Sequence, residues 1–319
     1  MKPKLFTKVA YVPSITHDEW LTYRREGIGG SDAGAIAGLS KYSSAFSVYC
    51  DKLNLIPEKE DNEAMRQGRD LEEYVARRFM EAEGKKVQRF GWLIRSDEYP
   101  WAIADIDRVI VGENAILECK TTSIMNKTNF EDGDIPPYWY CQCQHYLAVT
   151  GCDVCYLAVI ILGREYHCFK IERNAADIAA LMDLERAFWE DNVIARKEPL
   201  PDGTERANKA IGQIYAQSDA GAQHIDFTPY RDAIEQYMAL KDQIDELTAR
   251  KDAIKQELQL YMQQAEKGQC EGYSVSWKTQ NSNRLDTELL KAELPDVYKK
   301  YLKSSVSRPF KINHKEKVS

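Results

Sequence analysis

The amino-acid sequence predicts an α/β domain followed by a helical, coiled-coil-like appendage. Residues 101–111 and 115–120 have the composition of two antiparallel strands joined by a tight turn, and residues 62–84 have the apolar spacing of an amphipathic helix. From about residue 230 to 266 the chain is charged, nearly free of helix breakers and apolar at every seventh residue. We therefore expect one large domain over residues 1–205 and a separate C-terminal region over residues 206–319.

Length and composition indicate a globular protein. The chain has 319 residues, of which 44% are apolar, so it can bury a substantial core. No apolar run approaches the roughly 18 residues of a membrane span, and the amino terminus lacks the apolar segment of a secretion signal. We expect a cytoplasmic protein with no membrane partner. The net charge of −7 argues against nonspecific polyanion binding over the whole surface, although a local basic channel is compatible with it.

The cysteines do not form a convincing metal motif. The spacing of "CQC" is wrong for a structural zinc site, and "CDVC" has no second CxxC elsewhere in the chain. Reduced cysteines behave as small apolar residues. We therefore interpret all eight as core thiols: Cys50, Cys119, Cys141, Cys143, Cys152, Cys155, Cys168 and Cys270.

The C-terminal region begins after a polar stretch, residues 198–210, that contains a Pro-Asp-Gly turn. The long helix predicted after it has one apolar seam with a strict seven-residue repeat and a second seam that Lys251 interrupts. The pattern fits an intermolecular coiled coil and a long helix packed against its own protein equally well. The apolar positions are Tyr237, Leu240, Ile244, Leu247, Ile254, Leu258 and Tyr261.

The predicted hairpin has charged residues on one face. If Gly112 and Glu113 form a two-residue turn, the numbers of paired residues sum to 225, and Asp107 lies opposite Glu118. Their β-carbons are then roughly 4.5–5.5 Å apart. Lys120 lies two residues beyond Glu118 and so points to the same face.

Two carboxylates at this separation need a cation between them. A lysine salt bridge would serve, and so would a divalent metal, because Mg²⁺ prefers carboxylate oxygens. The predicted helix at 62–84 offers a third carboxylate, Glu72, on its half-buried side. Glu73 is four residues from both Arg69 and Arg77, so we interpret it as a surface residue paired with them.

Four motifs occur in the order of a known family. The first is "WLTYRREGIGGSDAGAIAG" (20–38), and the second is "QGRDLEE" (67–73), which contains the helix glutamate Glu72. The third is D-x(10)-E-x-K, from Asp107 to Lys120, and the fourth is "YWYCQCQHYLAVTG" (138–151). Together they resemble the YqaJ-type viral recombinase and phage lambda exonuclease family, within the PD-(D/E)XK nuclease superfamily, over most of residues 15–200. The resemblance implies a restriction-endonuclease-like core, in which helices flank a central mixed sheet.

The resemblance also implies a metal site. Its ligands are Glu72, Asp107, Glu118 and the backbone carbonyl of Cys119, and Lys120 lies beside the attacking water. The metal is Mg²⁺, for which Mn²⁺ is expected to substitute.

This sequence departs from the family at one point of that site. The usual Pro-Asp is Ile106-Asp107 here, and an additional acid, Asp105, precedes it. A metal needs the carboxylate and not the proline, so Asp107 keeps its assignment. The role of Asp105 stays open.

A second site follows from the same resemblance, which places an arginine and a serine on the 5′-phosphate of DNA. Alignment on Trp20 puts them at Arg24 and Ser31, and a slip of one residue would put Arg25 in place of Arg24. Gln142 matches a glutamine that lines the family's active site.

The glycine-rich segment "GIGGSDAG" (27–34) has a physical interpretation of its own. Glycines let the backbone approach a ligand closely, and Ser31-Asp32 can cap a helix whose amino end attracts phosphate. The segment lacks the third glycine of a dinucleotide fingerprint and the lysine of a Walker motif. A capped turn without a ligand is the alternative, and we favour phosphate capture because two arginines are near.

The C-terminal tail is basic. Aromatic residues interleave with its lysines, which fits a DNA-contacting arm, although such charge runs are usually solvated chain ends. The basic residues are Lys299, Lys300, Lys303, Arg308, Lys311, Lys315 and Lys317.

The resemblance implies a Mg²⁺-dependent exonuclease. It would degrade one strand of linear double-stranded DNA from the 5′ end and leave 3′ single strands for phage-type recombination. It also implies a ring-shaped homo-oligomer and a single-strand annealing protein as partner. One alternative is a Cas4-like or structure-specific DNA nuclease, which bound iron would reveal. A noncatalytic DNA-binding or assembly protein is another, and the complete set of Glu72, Asp107, Glu118 and Lys120 argues against it.

Overall fold

A computed structural model describes residues 5–58, 61–123, 130, 134–219, 221–222, 224–304 and 307–313. The chain forms two compact units, Met1–Tyr215 and Ala216–Ser319. The strands of the first unit are β1 (Phe6–Tyr11), β2 (Val87–Arg89), β3 (Trp92–Ser96), β4 (Ile103–Asp105), β5 (Arg108–Ile110), β6 (Ala115–Thr122), β7 (Val154–Ile161) and β8 (Glu165–Glu172). Its helices are α1 (His17–Arg25), α2 (Gly30–Ile36), α3 (Ala45–Lys52), α4 (Glu63–Glu83), α5 (Pro137–Thr150), α6 (Ala175–Phe188) and α7 (Glu205–Ile214).

A five-stranded mixed sheet in the order β2-β5-β6-β7-β8 forms the centre of the first unit. The pair β6–β7 is parallel, and the other pairs are antiparallel. Apolar residues of α4 pack on one face, against Leu117 and Ala158. On the other face, Ile116 and Leu157 share a cluster with residues of α5 and α6. The predicted central mixed sheet flanked by helices is present.

The helix predicted over residues 62–84 corresponds to α4. The Asn62 side chain accepts a hydrogen bond from the Met65 N–H and so caps its first turn. Gly84 ends it with φ +66°, a left-handed conformation that glycine adopts without strain. Val75, Ala76 and Phe79 bury its inner face.

The predicted first strand of the hairpin, residues 101–111, is not one strand. Ile103–Asp105 pairs with β3 in a separate three-stranded sheet, β1-β3-β4, whereas Arg108–Ile110 joins the central sheet. The buried side chain of Ile106 lies where the chain passes from one sheet to the other. The run 101–111 contains no glycine or proline, so the sequence gives no turn signal at this point.

Two glycines of the segment 27–34 serve the packing of α2 on α5. A Cβ on Gly30 would lie 2.5 Å from the ring of Tyr146, and one on Gly34 would lie 2.7 Å from the Cβ of Tyr138. These distances are too short for any larger residue. The close approach expected of this segment is therefore made to a neighbouring helix.

The first unit extends ten residues past the predicted boundary at residue 205. Ala207 and Ala210 of α7 are buried in a cluster with Phe46 and Cys50 of α3. Sequence composition places the boundary at the polar turn before α7, but this packing places α7 in the first unit.

The second unit contains α8 (Arg231–Met262), the hairpin β9 (Lys267–Cys270) and β10 (Tyr273–Ser276), α9 (Thr287–Glu293) and α10 (Pro295–Tyr301). The helix α8 occupies the segment with the seven-residue repeat, and none of its residues is buried. Of the basic tail, Lys315 and Lys317 lie outside the described residues. In the described ranges, no helix combines the length and apolarity that a bilayer span requires.

All eight cysteines are free thiols. Cys50, Cys143 and Cys155 are buried, and four others are partly buried. Cys270 is exposed, so its assignment to the core is wrong, because the hairpin that carries it buries none of its residues.

Candidate active site

Asp107 and Glu118 meet at the start of the β5–β6 pair. Arg108 pairs with Leu117 and Val109 with Ile116, which is the predicted register with numbers that sum to 225. Asp107 directly precedes the first of these pairs, and its Oδ2 accepts a hydrogen bond of 2.7 Å from the Cys119 N–H. Local strand pairing therefore positions the Asp107 carboxylate beside the strand that carries Glu118.

Glu118 is buried and held by two donors. Its Oε1 accepts hydrogen bonds from Lys120 Nζ at 2.6 Å and from Gln142 Nε2 at 2.7 Å. Gln142 lies on α5 and also donates to the Tyr146 hydroxyl at 3.1 Å. The predicted site residues Glu118, Lys120 and Gln142 are thus in direct contact.

Burial and neighbouring charges have opposing effects on the pKa values of the site residues. Burial raises the pKa of Asp107 well above its usual value, and the charges of Glu118 and Glu72 raise it further. Burial also raises the pKa of Glu118 against the effect of Lys120. Burial alone would lower the pKa of Lys120, but the charges of Glu118 and Asp107 outweigh it and raise the pKa. Lys120 therefore keeps its proton at neutral pH.

Glu72 is bound to an arginine that the sequence analysis did not assign. Arg108 Nη1 donates to Glu72 Oε1 at 2.5 Å and to the Asp107 carbonyl at 2.8 Å, and Arg108 Nη2 donates to Glu73 Oε2 at 2.9 Å. Arg108 is only 3% exposed. Its side chain lies on the α4 face of the sheet because it pairs with Leu117, whose side chain packs against α4.

The prediction that Glu73 pairs with Arg69 and Arg77 is wrong. Arg69 pairs with Asp61 instead, and the guanidinium of Arg77 lies over the ring of Tyr74. Glu73 itself is exposed, as predicted, and its partner is Arg108. A tertiary contact with β5 has replaced the local pairs along α4.

The acidic residues of the site fit a divalent cation. Glu118 Oε2 is buried and has no hydrogen-bond partner among the described residues, and an unsatisfied buried carboxylate oxygen is costly. Carboxylate oxygens are the ligands that Mg²⁺ and Mn²⁺ prefer. In the described part of the chain, no three His, Cys, Asp or Glu side chains already converge as a metal site. Glu72, the third expected ligand, has its Oε1 bound to Arg108.

A second group of side chains surrounds Arg24. Arg24 Nη2 lies 3.3 Å from Ser31 Oγ and 3.5 Å from Asp32 Oδ1, and the guanidinium lies 4.9 Å from the centroid of the Trp20 ring. Trp20 Nε1 donates to Asp105 Oδ2 at 3.2 Å. Trp20 thus contacts both Arg24 and Asp105, the acid that precedes Asp107 by two residues.

Arg25 points elsewhere. Its Nε donates to the carbonyl of Asp51 at 3.1 Å and lies 3.9 Å from the Asp51 carboxylate. Of the two candidate arginines, Arg24 is the one that contacts Ser31.

The capping of α2 differs from the sequence interpretation. Gly29 is the N-cap, and Asp32 reaches back to accept a hydrogen bond of 3.0 Å from its N–H. Asp32 Oδ2 also lies 2.6 Å from the fully buried Lys52 Nζ. Burial would raise the pKa of Asp32, but the charges of Lys52 and Arg24 outweigh it and lower the pKa to about 2. Asp32 is therefore an ionised structural partner of Lys52 at neutral pH.

A cleft of about 990 Å³ lies beside the group around Arg24 and reaches Glu72. Arg24 and Trp20 line it together with Glu72 and Asp105. The candidate phosphate-binding arginine and one of the candidate metal ligands therefore face the same space.

Sequence reasoning did not assign three residues of this region. Arg108 follows Asp107 directly, and its position on the opposite face of the strand could have suggested a contact with α4. Trp20 precedes Arg24 by four residues on one helix, a spacing at which side chains meet. Lys52 has no local signal, because only the packing of α3 on α2 brings it to Asp32.

A family model and a known protein that match this chain both carry the name YqaJ. Residues 19–153 match the model of the YqaJ-like viral recombinase domain. The chain is 40% identical over 302 residues to the uncharacterized protein YqaJ of Bacillus subtilis (strain 168). The matched region covers 93% of this chain and 94% of that protein.

Two solved structures are also similar. An alkaline exonuclease from Laribacter hongkongensis matches with a TM-score of 0.48 and 24% identity over 57% of this chain and 94% of that one. A phage-related exonuclease from Haemophilus somnus 129PT matches with a TM-score of 0.41 and 12% identity over 53% of this chain and 96% of that one.

Proposed function

Because the chain belongs to the YqaJ family of viral recombinase-like proteins, we propose that it is a divalent-metal-dependent exonuclease that degrades one strand of linear double-stranded DNA. The observation that carries the proposal is the buried Glu118 beside Asp107, with Lys120 and Gln142 bound to one carboxylate oxygen and no partner among the described residues for the other. A buried, mutually repelling pair of carboxylates weakens a fold unless a cation compensates them, so the arrangement favours a functional explanation.

The metal would be held by Glu72, Asp107, Glu118 and the backbone carbonyl of Cys119. Mg²⁺ is the proposed metal, and Mn²⁺ would substitute because it accepts the same oxygen ligands. When bound, the metal supplies positive charge that stabilises the phosphodiester during its displacement by water.

The protein's own side chains have separate tasks in the proposed reaction. A water oxygen forms a bond to phosphorus while one P–O bond of the backbone breaks; the water loses a proton to solvent, and the leaving oxygen takes up a proton to become a hydroxyl. Lys120, which donates to Glu118 at 2.6 Å, lies beside the attacking water and orients or activates it. Gln142 fixes the orientation of Glu118 through their 2.7 Å hydrogen bond.

The proposed direction of digestion is from the 5′ end. Arg24 donates to Ser31 at 3.3 Å and lines the cleft that Glu72 also lines, so a terminal phosphate held by Arg24 would lie in the same cleft as one of the proposed metal ligands. Charge-assisted contacts of this kind position a substrate as well as bind it. Digestion would leave 3′ single strands for recombination.

The assembly and the partners belong to the same proposal. We infer a ring-shaped homo-oligomer around DNA and a single-strand annealing protein as partner, on the basis of the family alone. Size-exclusion chromatography with light scattering would test the oligomer, and a monomer at all concentrations would contradict it.

The decisive experiment compares two DNA substrates in Mg²⁺. The protein should degrade an end-labelled linear duplex and leave a covalently closed circle of the same sequence intact. Asp107→Ala, purified in parallel, controls for a contaminating nuclease and should be inactive. Cleavage of the circle would instead indicate a structure-specific endonuclease, and iron absorbance would indicate the Cas4-like alternative. An inactive wild-type protein in both Mg²⁺ and Mn²⁺ would exclude the proposed nuclease.

A further inference from the structure

Two basic residues of α7 face the same cleft as the candidate site. Arg206 and Lys209 are one helical turn apart, and they line the cleft together with Gln213. The same cleft contains Arg24 and Glu72. Neither basic residue belongs to the metal site or to the group around Arg24 and Ser31.

The helix that carries them is firmly anchored. The Thr204 side chain accepts a hydrogen bond from the Ala207 N–H and so caps the first turn of α7. Ala207 and Ala210 are buried against α3, and the partly buried Ile211 and Ile214 extend this contact. Arg206 and Lys209 are therefore presented to the cleft from a fixed backbone.

Arg206 and Lys209 differ from the other charged residues of the cleft, which have partners within the protein. The acids that line the cleft outnumber the basic residues, but each of them has an ion-pair or hydrogen-bond partner within the described chain. Asp105 is partly buried and accepts a hydrogen bond of 3.2 Å from Trp20 Nε1, and Glu58 is hydrogen-bonded to His17. The other acids have cationic neighbours: Asp32 with Lys52, Asp51 with Arg25, Asp61 with Arg69 and Glu72 with Arg108.

Arg206 and Lys209 have no such compensation. Across the described residues, no carboxylate lies within ion-pair distance of either side chain, and Arg206 is only partly exposed. Two uncompensated cations on one helix face attract a ligand with at least two negative charges at a spacing of about one helical turn. Successive phosphates of a nucleic-acid strand have this character.

Resting on the proposed function, we propose that α7 binds the sugar-phosphate backbone of the DNA substrate through Arg206 and Lys209. The phosphates concerned are internal ones, distinct from the terminal phosphate assigned to Arg24. The helix α7 is thus a second wall of the substrate cleft.

The salt dependence of DNA binding tests this proposal. Binding of a fluorescent linear duplex is measured by anisotropy over a range of salt concentrations, with a chelator present so that no strand is cut. For Arg206→Ala/Lys209→Ala, the slope of log affinity against log salt should decrease in magnitude by about 1.8, since each phosphate contact contributes about 0.9. Affinity at moderate salt should fall about tenfold.

Two further variants sharpen the test. Lys86→Ala/Arg164→Ala also removes two exposed positive charges, but neither residue lines the cleft, so its slope should equal that of the wild type. Arg206→Lys/Lys209→Arg keeps both charges and should restore the wild-type slope.

The outcomes separate this inference from the proposed function. An unchanged slope for the double alanine variant, with active wild-type enzyme, overturns the α7 contact and leaves the nuclease intact. A reduced slope in a protein that cleaves no DNA in Mg²⁺ or Mn²⁺ supports the contact and overturns the nuclease. An equal loss in the Lys86/Arg164 control would show a general effect of net charge and would overturn the contact. A wild-type protein that binds no DNA overturns both.

Discussion

Arg108 Nη1 donates a hydrogen bond of 2.5 Å to Glu72 Oε1, which connects a candidate metal ligand on α4 to β5, the strand that pairs with the one carrying Glu118. The same guanidinium also binds Glu73, so it bridges adjacent glutamates of one helix. A cation at this position compensates Glu72 in the absence of metal. It would also compete with a metal for that carboxylate if Glu72 is a ligand, and both consequences can be measured.

We expect Arg108→Met to bind divalent metal more tightly and to be less stable without metal. The substitution removes the competing charge from Glu72, and it removes charge-assisted hydrogen bonds that are typically worth about 1.5–3 kcal/mol. Calorimetric titration with Mn²⁺ and thermal unfolding of the metal-free protein provide the two measurements. Arg89→Met is the matched control, because Arg89 is exposed and lies 3.9 Å from the same carboxylate. Weaker Mn²⁺ binding by Arg108→Met would show that Arg108 positions Glu72 for the metal.

Asp107→Asn should abolish cleavage without loss of stability. The substitution removes a buried negative charge that Glu118 and Glu72 repel, so the melting temperature of the metal-free protein should hold or rise. Asp70→Asn, at an exposed position of α4, should change neither activity nor melting temperature. Nuclease assays and thermal unfolding would be run on both variants. A folded Asp107→Asn protein with near wild-type activity would remove Asp107 from the site.

The Asp32–Lys52 pair should make stability depend on pH in the acid range. The folded pKa of Asp32, about 2, lies below the unfolded value of roughly 3.9. The stabilisation is therefore present above about pH 4 and is lost as the pH falls towards 2.

Asp32→Asn tests that dependence. At pH 7 it should cost about 3–5 kcal/mol, because Lys52 would remain buried without its partner, and its difference from the wild type should shrink between pH 4 and 2. Denaturant unfolding at several pH values measures both effects. Asp191→Asn, at an exposed position, is the control. A difference from the wild type that stays constant down to pH 2 would contradict the pair as its cause.

Arg24→Ala should remove a preference for 5′-phosphorylated ends. A charge-assisted contact of about 1.5–3 kcal/mol gives the wild type roughly a tenfold or greater preference over 5′-hydroxyl ends. Arg25→Ala is the matched control and should keep the preference, since Arg25 binds Asp51 and not Ser31. Initial rates on the two ends measure the effect. Loss of the preference in Arg25→Ala alone would move the assignment by one residue, and equal wild-type rates would remove the phosphate site.

A truncation after Tyr215 should fold, whereas one after Glu205 should be unstable. The shorter fragment loses the burial of Ala207 and Ala210 and the contacts of Ile211 and Ile214, which we expect to cost about 3 kcal/mol or more. Cooperative thermal unfolding of each purified fragment makes the comparison. If the fragment that ends at Glu205 were as stable as the longer one, α7 would not belong to the first unit.

The sequence by itself determined the local part of this protein. The helix α4 follows from its apolar spacing, its Asn62 cap and its terminal Gly84, all of which act within a few residues. The β5–β6 register and the common face of Glu118 and Lys120 follow from turn length and strand alternation, because both are fixed by backbone geometry. The order of motifs located the candidate residues around them.

Only the tertiary structure decided which distant groups meet. Arg108 replaced the local partners of Glu73, Lys52 reached Asp32, and α7 joined the first unit through buried alanines. The run at 101–111 divided between two sheets although it contains no glycine or proline. The physical reason is the same in each case. Helical and strand periodicity fixes which side of an element a residue occupies, but the packing of elements far apart in the chain decides what lies on that side.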